Sequence, residues 1–249
     1  MSLNDLDLAA AAARAGAAVV RARFGAELDR VDKGGGDFAT AADLEAERAI
    51  LDVLRAARPA DAVLGEESGP GGPAGAGRTW LVDPLCGTLN FAAGAMLVAV
   101  NVALRDGGDV TAAAVADPFA GQVYRTDDPL TPSAHTALVD LNLDPPWPNA
   151  PAFRAARLLT EPGFEARFRP RVTSTTLALA WVATGRRAAY LTDGQVHDSV
   201  HFAAGIALCR AAGCVVTNLD GGPVGTGRGG LLAAADPGTH AALLDLIPR

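Results

Sequence analysis

The twelve residues Trp80-Leu81-Val82-Asp83-Pro84-Leu85-Cys86-Gly87-Thr88-Leu89-Asn90-Phe91 constrain this chain more than any other stretch. An apolar run that meets Asp-Pro predicts a buried strand ending at Asp83, because proline cannot donate to a ladder. Gly87-Thr88 then predicts a turn into a helix. That arrangement places a carboxylate at the strand end, beside the free backbone N–H groups of a helix start. A cation holder next to an anion holder predicts a joint site for a metal and a phosphate.

At 249 residues the chain can bury a large core, as one domain or as two joined halves. Its apolar content is largely alanine spread through amphipathic segments, with no run of the roughly 18–20 apolar residues that a membrane span needs. Asp5 and Asp7 stand where a signal peptide would carry basic residues, so a cytoplasmic protein is expected. A net charge of −7, with Lys33 the single lysine and no basic block, argues against a nucleic-acid partner. Cys86, Cys209 and Cys214 have no metal-finger spacing, and free thiols are expected of all three.

Periodicity predicts a helix from Asp5, as its N-cap, to Phe24, a break at Gly34-Gly35-Gly36, and a second helix over Ala42–Arg58. A strand at Ala62–Leu64 leads to Gly65-Glu66-Glu67-Ser68, and the Gly/Pro-rich stretch Gly69–Gly77 reads as a mobile surface loop. Strands are expected at Met96–Leu104, Thr111–Ala116, Ala188–Leu191, Val215–Leu219 and Leu231–Ala235, with helices at Thr175–Thr184, Ser199–Ala212 and Thr239–Leu246. The Pro/Asp/Asn-rich segment Asp127–Pro151 reads as a boundary. It divides an N-terminal α+β half, residues 1–130, from a C-terminal half, residues 131–249. Helices and strands mix without strict alternation, which favours an α/β or α+β layered fold.

The signature stretch resembles that of the inositol monophosphatase family, lithium-sensitive, metal-dependent phosphomonoesterases whose pattern is Asp-Pro-(Ile/Leu)-Asp-Gly-Thr-x-Asn-(Phe/Tyr). Asp37-Phe38-Ala39-Thr40-Ala41-Ala42-Asp43 and Gly65-Glu66-Glu67-Ser68 are similar to two further family motifs. His197-Asp198-Ser199-Val200-His201-Phe202-Ala203-Ala204-Gly205 occupies the place of Trp-Asp-x-Ala-Ala-Gly. The resemblance implies an α-β-α-β-α five-layer sandwich, a homodimer, and a site for Mg²⁺. Glu66, Asp83, the Leu85 carbonyl and Asp198 would be the metal ligands, with Glu66 also counted in the catalytic set. Thr88 and Asp43 would position the attacking water, while the amides of Gly87 and Thr88 would hold phosphate oxygens. The N-terminal half would carry this signature, and the C-terminal half would supply Asp198 and the substrate pocket.

Two departures matter. Cys86 stands where the family has a second metal-binding Asp, and a thiol is a poor ligand for Mg²⁺. It reads either as a small, partly buried filler or as a thiolate ligand to a softer ion such as Zn²⁺ or Mn²⁺. His197 and His201, at i,i+4 on one helical face beside Asp198, would support the second reading. A cysteine nucleophile is not expected, since Ala92 follows where cysteine phosphatases place arginine. On the substrate side, Thr192 falls where family members have a Glu that contacts ring hydroxyls, with Asp193 next, and Leu89 replaces a common Thr. The substrate expected is therefore a small sugar or polyol phosphate rather than inositol phosphate alone. A nucleotide 3′-phosphatase, a sugar bisphosphatase and a non-catalytic phosphate-binding homologue are the other readings. The carboxylates also have plainer uses: Asp43 or Asp198 as helix caps, Glu66-Glu67 as a solvated turn, Thr88 as an ordinary helix-start residue.

Overall fold

Alanine sets how the first helices pack. Helix α1, Asp5–Arg23, turns toward the core a face that is nearly all alanine, with Leu8 and Val20 as its large members. Side chains this small let α2, Ala41–Ala57, approach closely. At Gly16 there is no room even for a methyl group, since a Cβ there would lie 2.7 Å from Ile50 Cδ1. The N-cap of α1 is Asn4, whose side chain accepts from Asp7 N at 2.7 Å, and not Asp5 as expected. Asp5 is instead drawn to Arg58 and Arg78, at 2.9 and 3.0 Å.

The computed structural model describes residues 3–26, 30–34, 37–143 and 153–248. The chain forms two compact units, the first comprising Met1–Asp128, Thr175–Leu177 and Val200–Ala207, the second Pro129–Ser174, Ala178–Ser199 and Leu208–Arg249.

In the first unit, strands β1 (Arg30–Gly34) and β2 (Asp37–Thr40) form an antiparallel pair that leads into α2. Gly35 and Gly36 of the expected break lie outside the described residues. A six-stranded sheet follows, built from β3 (Ala62–Gly65), β4 (Gly69–Gly71), β5 (Arg78–Cys86), β6 (Ala99–Asp106), β7 (Asp109–Asp117) and β8 (Gln122–Arg125), in the order β4-β3-β5-β6-β7-β8. Within this sheet β3 and β5 pair parallel and the other described pairs are antiparallel. The short helix α3, Thr88–Ala92, follows β5. Trp80, Val82, Leu85, Val100, Val102 and Leu104 lie in one buried core with the alanines of α1 and α2.

Two expectations fail here for backbone reasons. The start of the Gly69–Gly77 stretch is an edge strand and not wholly a loop, because a ladder on β3 needs main-chain groups and an edge position tolerates Pro70. Strand β5 does not end at Asp83. The register shifts between Asp83 and Cys86, so the irregularity absorbs Pro84 and the strand continues.

The second unit holds a five-stranded mixed sheet of β9 (Leu138–Asn142), β10 (Arg169–Val172), β11 (Ala189–Thr192), β12 (Val215–Thr217) and β13 (Leu231–Ala234), in the order β10-β9-β11-β13-β12. Phe153, Leu158, Phe164 and Phe168 are buried with Val139, Leu191 and Leu232. The remaining helices are α4 (Pro162–Arg167), α5 (Leu177–Ala183), α6 (Val200–Ala211) and α7 (Pro237–Leu244), the last capped by Asp236; Leu177 of α5 and Val200–Ala207 of α6 belong to the first unit. The Asp127–Pro151 segment contains β9, and its residues 144–151 lie outside the described residues. All three cysteines are free thiols, as expected. No helix among the described residues is long and apolar enough to cross a membrane.

Candidate metal and phosphate site

The irregular end of β5 turns Asp83 inward, where it is fully buried. A buried carboxylate needs partners. Oδ1 accepts from Leu85 N at 3.2 Å, and Oδ2 accepts from Asn101 Nδ2 at 3.2 Å and from His201 Nδ1 at 2.8 Å. Asn101 Nδ2 also donates to Thr176 Oγ1 at 2.9 Å, and its Oδ1 is buried without a hydrogen-bond partner among the described residues.

Glu66 reaches the same place from the end of β3. Its backbone N donates to Val82 O at 3.0 Å, and its Oε2 lies 3.9 Å from His201 Nδ1. The turn that carries it is fixed from behind by Glu47 of α2, a buried carboxylate that accepts from Glu67 N at 2.8 Å and Ser68 N at 2.9 Å. Glycine is required at 65, because a Cβ there would lie 2.6 Å from Glu47 Oε2.

Asp43 serves two ends at once. Its Oδ2 accepts from Thr40 N at 2.8 Å and Thr40 Oγ1 at 2.6 Å, closing a capping box at the start of α2. Its Oδ1 accepts from Thr88 Oγ1 at 2.9 Å. The capping role and the contact with Thr88 are therefore one arrangement, not alternatives. Thr88 Oγ1 also lies 3.2 Å from Leu85 O. Gly87, left-handed at φ 105°, turns β5 into α3.

Burial opposes ionisation of Asp83, but the charge of His201 and the hydrogen bonds with His201 and Asn101 help outweigh it, so its carboxyl titrates below its ordinary range. Burial likewise opposes a charged His201, yet Asp83 and then Cys86 and Glu66 hold the imidazole well above its ordinary value. Since Asp83 is ionised it can only accept, so His201 Nδ1 carries the shared proton. Burial and the charge of Asp83 push the Cys86 thiol up to about 11, and its Sγ accepts from Thr176 N at 3.4 Å. Carboxylate, thiol and imidazole meet here: the donor atoms of Asp83, Cys86 and His201 all lie within 4.8 Å of one another.

Asp43, Glu66, Asp83, Leu85, Cys86, Gly87 and Thr88 thus all belong to the first unit, most of them joined by the contacts above. Asp198, Thr192 and Asp193 belong to the second. Asp198 has its side chain 64% exposed, a left-handed backbone with φ 52°, and His197 Nδ1 at 3.2 Å. The expectation that His197 and His201 share a helical face does not hold, because α6 begins at Val200 and leaves His197 outside it. Thr192 and Asp193 are both buried; Thr192 Oγ1 accepts from Gly194 N, and Asp193 Oδ2 lies 2.7 Å from Arg154 Nε.

Asn101, Thr176 and Glu47 escaped the sequence reading, and His201 entered it only beside His197, as support for a softer ion, while the motif's acidic position was given to Asp198. For His201 a signal existed: His201-Phe202-Ala203-Ala204-Gly205 fits Asp-x-Ala-Ala-Gly without a gap, with His in place of Asp. No local pattern marks the other three.

Residues 3–129 and 142–249 match the model of the inositol monophosphatase family. Among curated proteins, the chain is similar to the inositol-1-monophosphatase ImpA of Mycolicibacterium smegmatis, with 34% identity over 87% of this chain and 82% of that protein. It is also similar to an inositol-1-monophosphatase of Mycobacterium leprae, with 35% identity over 94% of this chain and 89% of that one. Among solved structures, the extragenic suppressor protein suhB of Bartonella henselae aligns over 98% of both chains with 25% identity and a TM-score of 0.86. An inositol monophosphatase from Thermotoga maritima shares the fold, with a TM-score of 0.82 at 20% identity, over 98% of this chain and 97% of that one.

Proposed function

This chain belongs to the inositol monophosphatase family, and on that premise we propose that it is a metal-dependent phosphomonoesterase acting on a small polyol or sugar phosphate of the inositol-phosphate type. The observation that carries the reading is the convergence of Glu66, Asp83 and the Thr88–Asp43 pair on the end of β5.

The carboxylates of Glu66 and Asp83 and the carbonyl of Leu85 are hard oxygen donors, which suits Mg²⁺. Bound by them, the ion would polarise a phosphoryl oxygen and acidify a water. The protein's own groups supply the rest. The single hydroxyl proton of Thr88 points to Asp43, so Thr88 Oγ1 offers lone pairs to the attacking water and accepts one of its protons as a hydrogen bond. Asp43, held by three donors, keeps that hydroxyl oriented and receives proton density as the water adds. The amides of Gly87 and Thr88, at the start of α3, would take phosphate oxygens in this reading.

The third protein ligand of the family pattern falls, in this reading, on His201 rather than Asp198. The set Asp83, Cys86 and His201 offers one hard oxygen against a thiol and an imidazole, and it does not fit Mg²⁺. Contacts to substrate hydroxyls fall on Thr192 and Asp193, by the family resemblance. A homodimer and a cytoplasmic location are part of the same reading, supported by the resemblance.

The test is phosphate release from inositol 1-phosphate and from a panel of sugar monophosphates with Mg²⁺ or Mn²⁺. Turnover that needs the metal, and that Thr88→Val lowers without loss of fold, supports the proposal. No turnover with any metal contradicts it.

A further inference from the structure

Resting on that metal-dependent reading, we propose that Asp83, Cys86 and His201 form a transition-metal position, selective for Zn²⁺ over Mg²⁺, in place of an all-oxygen one. The three donor atoms come from two elements of the first unit, the β5 end and the first turn of α6, and lie within 4.8 Å of one another. Zinc bonds of about 2.3 Å to sulfur and about 2.0 Å to nitrogen at a tetrahedral angle put those two atoms about 3.5 Å apart.

The donor chemistry sets the preference. Thiolate and imidazole favour Zn²⁺ and its neighbours in the transition series, whereas Mg²⁺ demands an octahedron of hard oxygens. Cysteine binds a metal as the thiolate and histidine through an unprotonated ring nitrogen, so binding here releases any protons on those two atoms to solvent. The Asp83–His201 hydrogen bond would then give way to two bonds to the metal. Three protein ligands leave a fourth corner open to a water. A second observation points to such a water: Asn101, whose amide already donates to Asp83, carries a buried Oδ1 with no hydrogen-bond partner among the described residues.

The experiment uses the full chain stripped of metal and titrated with Co²⁺ as a spectroscopic stand-in, followed by Zn²⁺ or Mg²⁺. The expected result is a saturable thiolate-to-cobalt charge-transfer absorption that Zn²⁺ abolishes and excess Mg²⁺ does not. Cys86→Ser should lose the band, and His201→Gln should weaken Co²⁺ binding by at least about tenfold. Should Cys86→Ser fail to fold by circular dichroism, the double variant Cys209→Ser/Cys214→Ser assigns the sulfur instead: retention of the band leaves Cys86 as its source. A missing band, a band that survives Cys86→Ser or is lost with Cys209 and Cys214, or displacement of Co²⁺ by Mg²⁺ overturns the proposal. Phosphate release with Mg²⁺, measured on the same preparation, reports the enzymatic reading separately.

Discussion

His201 Nδ1 lies 2.8 Å from Asp83 Oδ2, and that contact ties the first turn of α6 to the irregular end of β5. Where the family pattern places two acidic groups around a cation, this chain places an imidazolium against a carboxylate. The metal-free site therefore carries its own positive charge.

Asp83→Asn leaves that imidazolium without its carboxylate. For His201, shifted upward, the pair's contribution is complete below the ordinary histidine value of about 6.5 and fades as pH rises through the raised value. For Asp83, shifted downward, it is complete above the ordinary value of about 3.9 and fades as pH falls through the lowered one. The stability difference between metal-free wild type and Asp83→Asn should thus be largest between about pH 4 and 6.5, on the order of 2 kcal/mol for a pair with His201 partly exposed. Urea denaturation across pH checks this; a difference that grows steadily above pH 7 would contradict it.

Thr88→Val removes the hydroxyl at nearly constant volume. Its rate constant kcat should fall by about 10²–10⁴, with stability reduced by only about 1 kcal/mol. Asp43→Asn should lower kcat comparably but destabilise more, because it also breaks the capping box of α2, an additional loss of about 1 kcal/mol. The double variant should be little slower than either single one, since the two side chains act as a unit. Steady-state kinetics together with denaturant midpoints separate these outcomes.

Gly65→Ala forces a methyl group to 2.6 Å from Glu47 Oε2 and 2.7 Å from Ser68 Oγ. Overpacking of this kind costs about 1–3 kcal/mol, which for a chain of this length lowers Tm by about 2–4 °C per kcal/mol. Because Glu47 anchors the turn that carries Glu66, activity should fall along with Tm. A Gly65→Ala variant with unchanged Tm and activity would show that Glu47 does not hold the turn.

Local signals made the helical ends and the signature readable. Alanine periodicity outlined α1 and α2, and the Asp-Pro-Leu-Cys-Gly-Thr run marked where β5 turns into α3. What failed was governed by partners distant in sequence. Strand β5 continues past Pro84 because β6 pairs again at Ala99, and Gly69–Gly71 is a strand because β3 offers it an edge. Asn101 and Glu47 were invisible for the same reason: their roles are defined by Asp83, 18 residues away, and by Glu67, 20 residues away. His201 was named only as a partner of His197, and its place in the motif was misassigned. The matching Asp198 just before α6 drew the motif three residues early, although the Ala-Ala-Gly that follows fixes the register on His201.

The most direct measurement is inorganic phosphate released from inositol 1-phosphate and related polyol phosphates by metal-stripped protein, before and after Mg²⁺ is restored, for wild type and Asp83→Asn. Turnover that appears with the metal in the wild type, and stays at the metal-free level in a folded Asp83→Asn, is the expected result. Wild-type turnover that is equal with and without metal, or that survives in Asp83→Asn, would contradict a metal-assisted phosphoester hydrolysis built on Asp83.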